Sequence, residues 1–144
     1  MKILIVDDTP LILMAEQTML ASMGCNISIA SNAQDALGCM DDTIDVVLTD
    51  MQMPEVNGDV LAKRIHQKFP DVLIIGITTL IKKNNRVLDG DFDLSDFVDL
   101  FPKPLNRKLC QTIIKMAAAK NAAHISGESR KKQPAHVFSC AGSF

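Results

Sequence analysis

The chain has 144 residues, of which 47% are apolar and 22% charged. This composition is typical of one soluble globular domain and excludes a disordered chain. No apolar run approaches the roughly 18 residues that a membrane-spanning helix needs. The opening "MKILIVDDTP" is not a signal peptide, because its short apolar stretch soon meets two aspartates. We therefore expect a cytoplasmic protein with no membrane partner.

The net charge of −2 is unevenly distributed along the chain. Residues 1–119 carry 11 basic and 16 acidic side chains, whereas residues 120–144 carry four basic and one acidic. Nucleic-acid binding depends on neutralising phosphates with basic side chains, so the acidic body predicts no direct contact with nucleic acid. The four cysteines are scattered without a C-x-x-C pair, which favours reduced packing residues over zinc ligands or disulfides.

Short apolar runs alternate with helical patterns along the chain, beginning with "ILIV" and a helix that Thr9 can cap and Pro10 can start. Gly24 is typical of the residue after that helix. In chain order, the sequence predicts strands at 3–6, 25–30, 45–50, 72–79 and 97–101, and helices at 10–23, 31–40 (capped by Ser31), 59–69, 80–88 and 105–120. Repeated βα units of this kind predict an α/β fold with a doubly wound, five-stranded parallel sheet. We expect flavodoxin-like strand order 2-1-3-4-5, with helices on both faces.

Residues 1–120 are expected to form the folded domain. After Asn121 the sequence loses its periodicity and gains small and polar residues, including "SRKK" at 129–132. Residues 121–144 are therefore predicted to be a flexible C-terminal tail or linker remnant.

Polar side chains follow four of the predicted strands at the point where each ends: Asp7 and Asp8, Asp50, Thr78, and Lys103. The carboxyl ends of parallel strands meet at one edge of a sheet, where such folds bind their ligands. Three carboxylates brought together repel one another, and Mg²⁺ with its preference for hard oxygen ligands would relieve that repulsion. A carboxylate nucleophile with a metal, an ammonium group and a hydroxyl predicts a phosphoryl-transfer site.

Four motifs, in this order and each at a predicted strand end, resemble the receiver domains of two-component response regulators: "ILIVDD" (3–8), "LTDMQMPEVNG" (48–58), "IIGITT" (74–79) and "FPKPL" (101–105). The resemblance covers about residues 1–119. It implies that Asp50 is the phosphoacceptor and that Asp8 is a direct Mg²⁺ ligand. It also implies that Asp7 acts on the metal through water and that the backbone carbonyl of Gln52 completes the protein ligands.

By the same resemblance, Thr78 would bind the phosphoryl group and report its presence, and Lys103 would pair with Asp50 or its phosphate. The sequence departs from the family in the switching parts. Leu100 stands where the family usually has an aromatic residue coupled to the threonine, and Thr79 stands where alanine or glycine is usual. We therefore expect the phosphorylation chemistry to follow the family more closely than the switching mechanism.

The resemblance implies a signalling domain that catalyses its own phosphorylation and slow autodephosphorylation, and not a classical enzyme. Its phosphodonor would be a histidine kinase or a histidine phosphotransfer protein. Its downstream protein partner would bind the face of the predicted helix at 80–88, the fifth strand and the final helix, and phosphorylation could also drive homodimerisation. The chain would be a stand-alone receiver or one excised from a larger regulator or hybrid kinase.

Two other functions compete. Haloacid-dehalogenase-like phosphatases also use a strand-end aspartate, but they need D-x-D, and Thr9 occupies the second position here. A phosphorylation-independent, receiver-like interaction module stays open because of Thr79 and Leu100. His66, in mid-helix, is predicted to be a surface residue and not a phosphorelay histidine. The stretch "DGDFDLSD" (89–96) fails as a calcium loop because Leu94 replaces the required glycine.

Overall fold

The computed structural model describes residues 1–79 and 92–127, with side chains as far as residue 122. Within these ranges the chain forms one parallel sheet in the order β2-β1-β3-β4-β5. The strands are β1 (Lys2–Val6), β2 (Asn26–Ala30), β3 (Val46–Asp50), β4 (Leu73–Thr78) and β5 (Asp99–Pro102). The predicted fold class and strand order are confirmed.

The described helices are α1 (Pro10–Ser22), α2 (Ala33–Cys39), α3 (Gly58–Lys68) and α4 (Arg107–Gly127). They cover both faces of the sheet and produce two separate apolar clusters. On one face, α2 and α3 pack against alternate strand residues such as Leu4 and Val47. On the other, α1 and α4 pack against the intervening residues such as Ile5 and Leu48. The middle strands are therefore buried on both sides, which is why they read as continuous apolar runs.

Several predicted boundaries shift in the structure. Thr9 stands at the N-cap of α1, but its side chain makes no capping hydrogen bond. The cap of α2 is Asn32 and not Ser31, because the Asn32 side chain accepts a hydrogen bond from the Asp35 backbone N–H at 2.7 Å. The final helix continues past Lys120 to Gly127. The predicted helix at 80–88 and the segment 128–144 of the predicted tail lie outside the described residues.

The prediction for Gly24 is confirmed. Gly24 follows α1 with a φ of 89°, a left-handed conformation that glycine adopts at no steric cost. Cys25, Cys39 and Cys110 are buried, and among the described residues none of them forms a disulfide. In the parts of the chain that the structure describes, no helix combines the length and the apolar character required to cross a membrane.

Gly76, in the middle of β4, allows two side chains to meet over the sheet. A Cβ added there would lie 2.5 Å from Leu100 Cδ2 and 2.8 Å from Met51 Sδ. Met51 directly follows Asp50, and Leu100 is paired with Gly76 in the β4–β5 register. These two side chains form a third small apolar cluster with partly buried Phe92, Leu94 and Phe97.

We expect Gly76→Ala to lower the free energy of unfolding by about 1–3 kcal/mol, the usual cost of overpacking a filled core. Gly38→Ala is the matched control. Gly38 lies in α2 with open space around its missing Cβ, so its replacement should raise stability by about 0.5–1 kcal/mol. Urea unfolding of the two variants measures both effects, and equal stability of the two would contradict the packing described for Gly76.

Candidate active site at the carboxyl ends of the strands

Strand register brings the predicted site residues to one edge of the sheet. Val6 pairs with Thr49, so Asp7 and Asp50 follow neighbouring strands at the same level. Thr78 pairs with Pro102, which places Lys103 one residue beyond the end of β4. The structure thus brings the strand ends that carry these residues to one edge of the sheet.

Lys103 connects two of these strand ends through its side chain. Its Nζ lies 2.6 Å from Asp7 Oδ2 and 3.0 Å from Asp50 Oδ2, and only 10% of the side chain is exposed. Both contacts are charge-assisted hydrogen bonds, which are shorter and stronger than neutral ones. One ammonium group therefore offsets part of the charge of two buried carboxylates.

Each carboxylate has a further support from the backbone. Asp7 is almost fully buried, and its Oδ1 accepts a hydrogen bond from the Thr9 backbone N–H at 2.9 Å. The Gln52 backbone N–H donates to Asp50 Oδ1 at 3.3 Å. The contact of Gln52 with Asp50 is therefore made by its amide, and the role predicted for its carbonyl stays a prediction.

Asp7, Asp8 and Asp50 can each offer one oxygen to a shared cation, since these atoms lie within 4.8 Å of one another. Asp8 is exposed, whereas Asp7 and Asp50 are buried. Carboxylate oxygens are hard ligands of the kind that Mg²⁺ prefers, and an exposed member leaves room for the waters that this ion retains. The donor set and its spacing fit a magnesium ion.

Burial and neighbouring charge set the protonation of this site. Burial raises the pKa of Asp50 above 3.8, and repulsion from Asp7 adds to this, although hydrogen bonding and attraction from Lys103 act in the opposite direction. Burial by itself would lower the pKa of Lys103, but its hydrogen bonds to Asp7 and Asp50 raise that pKa above its ordinary value. Lys103 therefore stays charged. The ionised Asp50 carboxylate is energetically unfavourable because burial removes most of its hydration.

The loop after β3 is held tightly against Asp50. A Cβ at Gly58 would lie 2.3 Å from the Asp50 backbone oxygen, so only glycine fits there. The Gly58 N–H donates to the Met51 carbonyl at 3.0 Å, and the Asn57 side chain accepts from the Met53 N–H at 3.3 Å. These contacts fix the backbone that presents Asp50.

Thr78 is almost fully buried at the end of β4, and its carbonyl accepts a hydrogen bond from the Lys103 backbone N–H at 3.1 Å. Thr79, the next residue, is exposed. Leu100 is buried and packs with Met51. The two positions that depart from the family pattern thus have different surroundings, since Thr79 is exposed and Leu100 is buried.

His66 is less exposed than predicted, and the prediction that it is not a phosphorelay histidine stays a prediction. The residue is half-buried, with Nδ1 2.8 Å from Asp96 Oδ1 and Nε2 3.0 Å from the Val72 carbonyl oxygen. It ties α3 to the segments before β4 and β5. Neighbouring Lys63 Nζ lies 2.9 Å from Asp93 Oδ2. This ion pair joins α3 to the segment before β5.

Sequence reasoning missed Glu16. It lies on the buried side of α1, is 5% exposed, and its Oε2 has no hydrogen-bond partner among the described residues. Its spacing from Leu13 and Leu20, three and four residues away, puts all three on one helix face. That periodicity could have predicted its burial.

Comparison with known proteins gives a consistent result. Residues 3–115 match the family model described as "Response regulator receiver domain". The chain is 29% identical over 137 residues to hybrid signal transduction histidine kinase L of Dictyostelium discoideum, covering 89% of this chain and 8% of that protein. It is also 29% identical over 129 residues to the transcriptional regulatory protein CpxR of Escherichia coli, covering 90% and 53%. The chain thus spans about half or less of these relatives.

Two solved structures show the same fold. A CheY-like response regulator receiver domain from Methanospirillum hungatei is 26% identical, with a TM-score of 0.73, and the match covers 85% of this chain and 97% of that one. The response regulator TrrA from Thermotoga maritima, in complex with Mg²⁺-BeF, is 27% identical with a TM-score of 0.67, and the match covers 81% and 97%.

The raised pKa of Asp50 predicts that Asp50→Asn stabilises the metal-free fold. A carboxyl whose folded pKa lies above its unfolded value costs stability as pH rises through 3.8. The stability advantage of Asp50→Asn should therefore grow from about pH 4 and level off above the folded pKa. Thermal unfolding in EDTA across this range measures it.

Asp93→Asn is the opposite-sign control. Hydrogen bonds from Ser95 and from Lys63 lower the pKa of Asp93, so its charge favours folding. Relative to wild type, this variant should lose a little stability as pH rises toward 3.8 and should show no further change above that pH. An advantage of Asp50→Asn that does not change with pH would contradict the account of Asp50.

Proposed function

Since the chain belongs to the response regulator receiver family, we propose that Asp50 accepts a phosphoryl group from a histidine kinase or a histidine phosphotransfer protein. The observation that carries the proposal is the Lys103 ammonium, held between Asp7 and Asp50 at 2.6 and 3.0 Å. A lysine buried at the reacting carboxylate is placed to neutralise charge on a transferring phosphoryl group. A solvent-facing lysine would have no such contacts.

In the proposed reaction, an Asp50 carboxylate oxygen forms a bond to phosphorus while the bond from phosphorus to the donor imidazole nitrogen breaks. The electron pair of that bond returns to the imidazole. Lys103 can follow the developing charge because its ammonium already contacts Asp50 Oδ2. The rigid loop ending at Gly58 keeps Asp50 in position for in-line attack.

We propose that Asp7, Asp8 and Asp50 hold Mg²⁺, with the Gln52 backbone carbonyl as a further ligand. The ion would supply positive charge that neutralises phosphoryl oxygens. The spacing of the three carboxylates supports this assignment. Thr78 is proposed to bind the phosphoryl group from the adjacent strand end.

The phosphorylated domain would act through a protein-binding surface that includes β5 and the final helix, and it could form a homodimer. Autodephosphorylation by the same site would end the signal. We propose that residues 121–144 serve as a tail or linker to the receiver.

The alternative function is a receiver-like interaction module that works without phosphorylation. It is supported by the buried, aliphatic Leu100, at a position where the family usually carries an aromatic switch residue.

Incubation with acetyl phosphate and Mg²⁺ should add the mass of one phosphoryl group, measured by intact mass spectrometry. Asp50→Asn should abolish the adduct because it removes the nucleophile. Asp93→Asn is the matched control, since Asp93 is an exposed aspartate paired with Lys63 outside the site, and it should be phosphorylated normally. Absence of an adduct on the wild-type chain would favour the interaction module.

Replacing Lys103 should separate its role from that of the metal. Lys103→Met should slow phosphorylation about 10²-fold, the scale of losing one preorganised charge donor. Mg²⁺ affinity should stay equal or rise, because the ammonium competes with the cation for Asp7 and Asp50. Initial rates by mass spectrometry and a calorimetric Mg²⁺ titration test the two parts, and an unchanged phosphorylation rate would contradict the role of Lys103.

A further inference from the structure

Glu16 is a buried carboxyl group that the chemistry described so far does not use. It lies in α1 between Leu13 and Leu20, both of which are buried core residues. Glu16 is 5% exposed, and within the described residues its Oε2 is buried without a hydrogen-bond partner. An ionised carboxylate in such a position loses its hydration without compensation, so burial raises the pKa of Glu16 to about 7.

Glu16 shares a cavity of about 370 Å³ with Lys103 and with Thr79, the residue that follows the proposed phosphoryl-binding threonine. The remaining walls are mostly apolar and come from α1 and from the segment after β5: Leu11, Ile12, Ala15, Met19, Pro104 and Leu105. Apart from Glu16, Thr79 and Lys103, few polar groups line this cavity. Electrostatic interactions between buried groups are stronger than those between groups in water.

Charged and titratable groups face Glu16 from four other parts of the fold. Asp7 after β1 and Asp50 at the end of β3 raise the pKa of Glu16, whereas Lys103 after β5 lowers it. From α4, the Cys110 thiol has its pKa raised to about 11 by burial and, in addition, by Glu16. Within the described residues, no hydrogen bond or ion pair joins Glu16 to either aspartate, so their interaction is through charge alone.

We propose that Glu16 is a positioning residue that acts through Lys103 and makes phosphorylation of Asp50 sensitive to pH. When Glu16 is ionised, it draws the Lys103 ammonium toward α1, away from Asp50. When Glu16 is protonated, the Lys103 ammonium keeps its contacts with Asp7 and Asp50. This inference rests on the proposed phosphoacceptor role of Asp50.

The direction of the effect follows from charge. A phosphoryl group on Asp50 adds negative charge to a site whose carboxylates already oppose ionisation of Glu16. The phosphorylated form therefore binds a proton at Glu16 more tightly, and by linkage protonation of Glu16 favours the phosphorylated form at equilibrium. The phosphorylation rate changes in the same direction because Lys103, when it remains at Asp50, neutralises charge on the transferring phosphoryl group. A coupling of this kind between partly buried charges corresponds to about a threefold to tenfold change in phosphorylation rate or yield across the titration.

The test compares phosphorylation by acetyl phosphate and Mg²⁺ in wild type and Glu16→Gln between about pH 6 and about pH 8. Glutamine keeps the shape of the side chain and removes its titration. The ratio of the variant rate to the wild-type rate cancels the pH dependence of the donor, and it should rise about threefold to tenfold with pH. A constant ratio overturns the proposal. Glu16→Leu, which also removes the charge, should give the same ratio if charge and not hydrogen bonding is responsible.

A second measurement separates this inference from the proposed function. NMR of the unphosphorylated protein can follow the Lys103 side-chain nitrogen resonance during a pH titration. A change with its midpoint near 7 in wild type that is absent in Glu16→Gln supports the coupling, and an identical titration in both proteins overturns it. Failure of the wild-type chain to be phosphorylated at any pH would contradict the proposed function, whereas the NMR result would still decide the link between Glu16 and Lys103.

Discussion

The arrangement of the site depends on one interaction, the contact of the Lys103 ammonium with two buried carboxylates. Asp7 and Asp50 end neighbouring strands, and without a cation between them their charges would repel in a position that water hardly reaches. Lys103 reaches both because β5 ends level with β4. The backbone supports at Thr9 and Gln52 then orient the remaining carboxylate oxygens. The sheet register thus brings Asp7, Asp50 and Lys103 within reach of one another, and charge compensation then sets the positions of their side chains.

The packing below that edge also fixes the position of Asp50. Gly58 allows the loop after β3 to return against the Asp50 backbone, and Gly76 allows Met51 and Leu100 to fill the space over β4. Both glycines are required by a close approach and not by a turn. Asp50 is therefore fixed from two directions, by the loop that follows it and by the side chain of the next residue.

Much of this could be predicted from the sequence, for a clear physical reason. A parallel sheet brings the carboxyl ends of its strands together, so polar residues that follow apolar runs, such as Asp7, Asp50 and Lys103, are predicted to meet. Contacts between residues far apart along the chain have no such signature. His66 lies in a polar helical stretch, and its bonds to Asp96 and to the Val72 carbonyl depend on how α3 packs. The burial of Glu16 was readable from helical spacing, but its nearness to Lys103 was not.

The position of Lys103 along the chain has a consequence for folding order. The two acidic strand ends belong to β1 and β3, whereas their counter-charge follows β5, the last of the described strands. A nascent chain that ends before β5 can pair the first four strands but holds Asp7 and Asp50 without their ammonium partner. Completion of the sheet and compensation of its charged edge therefore occur in the same step. Docking of the edge strand is in this way tied electrostatically to the ends of β1 and β3, a long-range contact of the kind that favours cooperative folding.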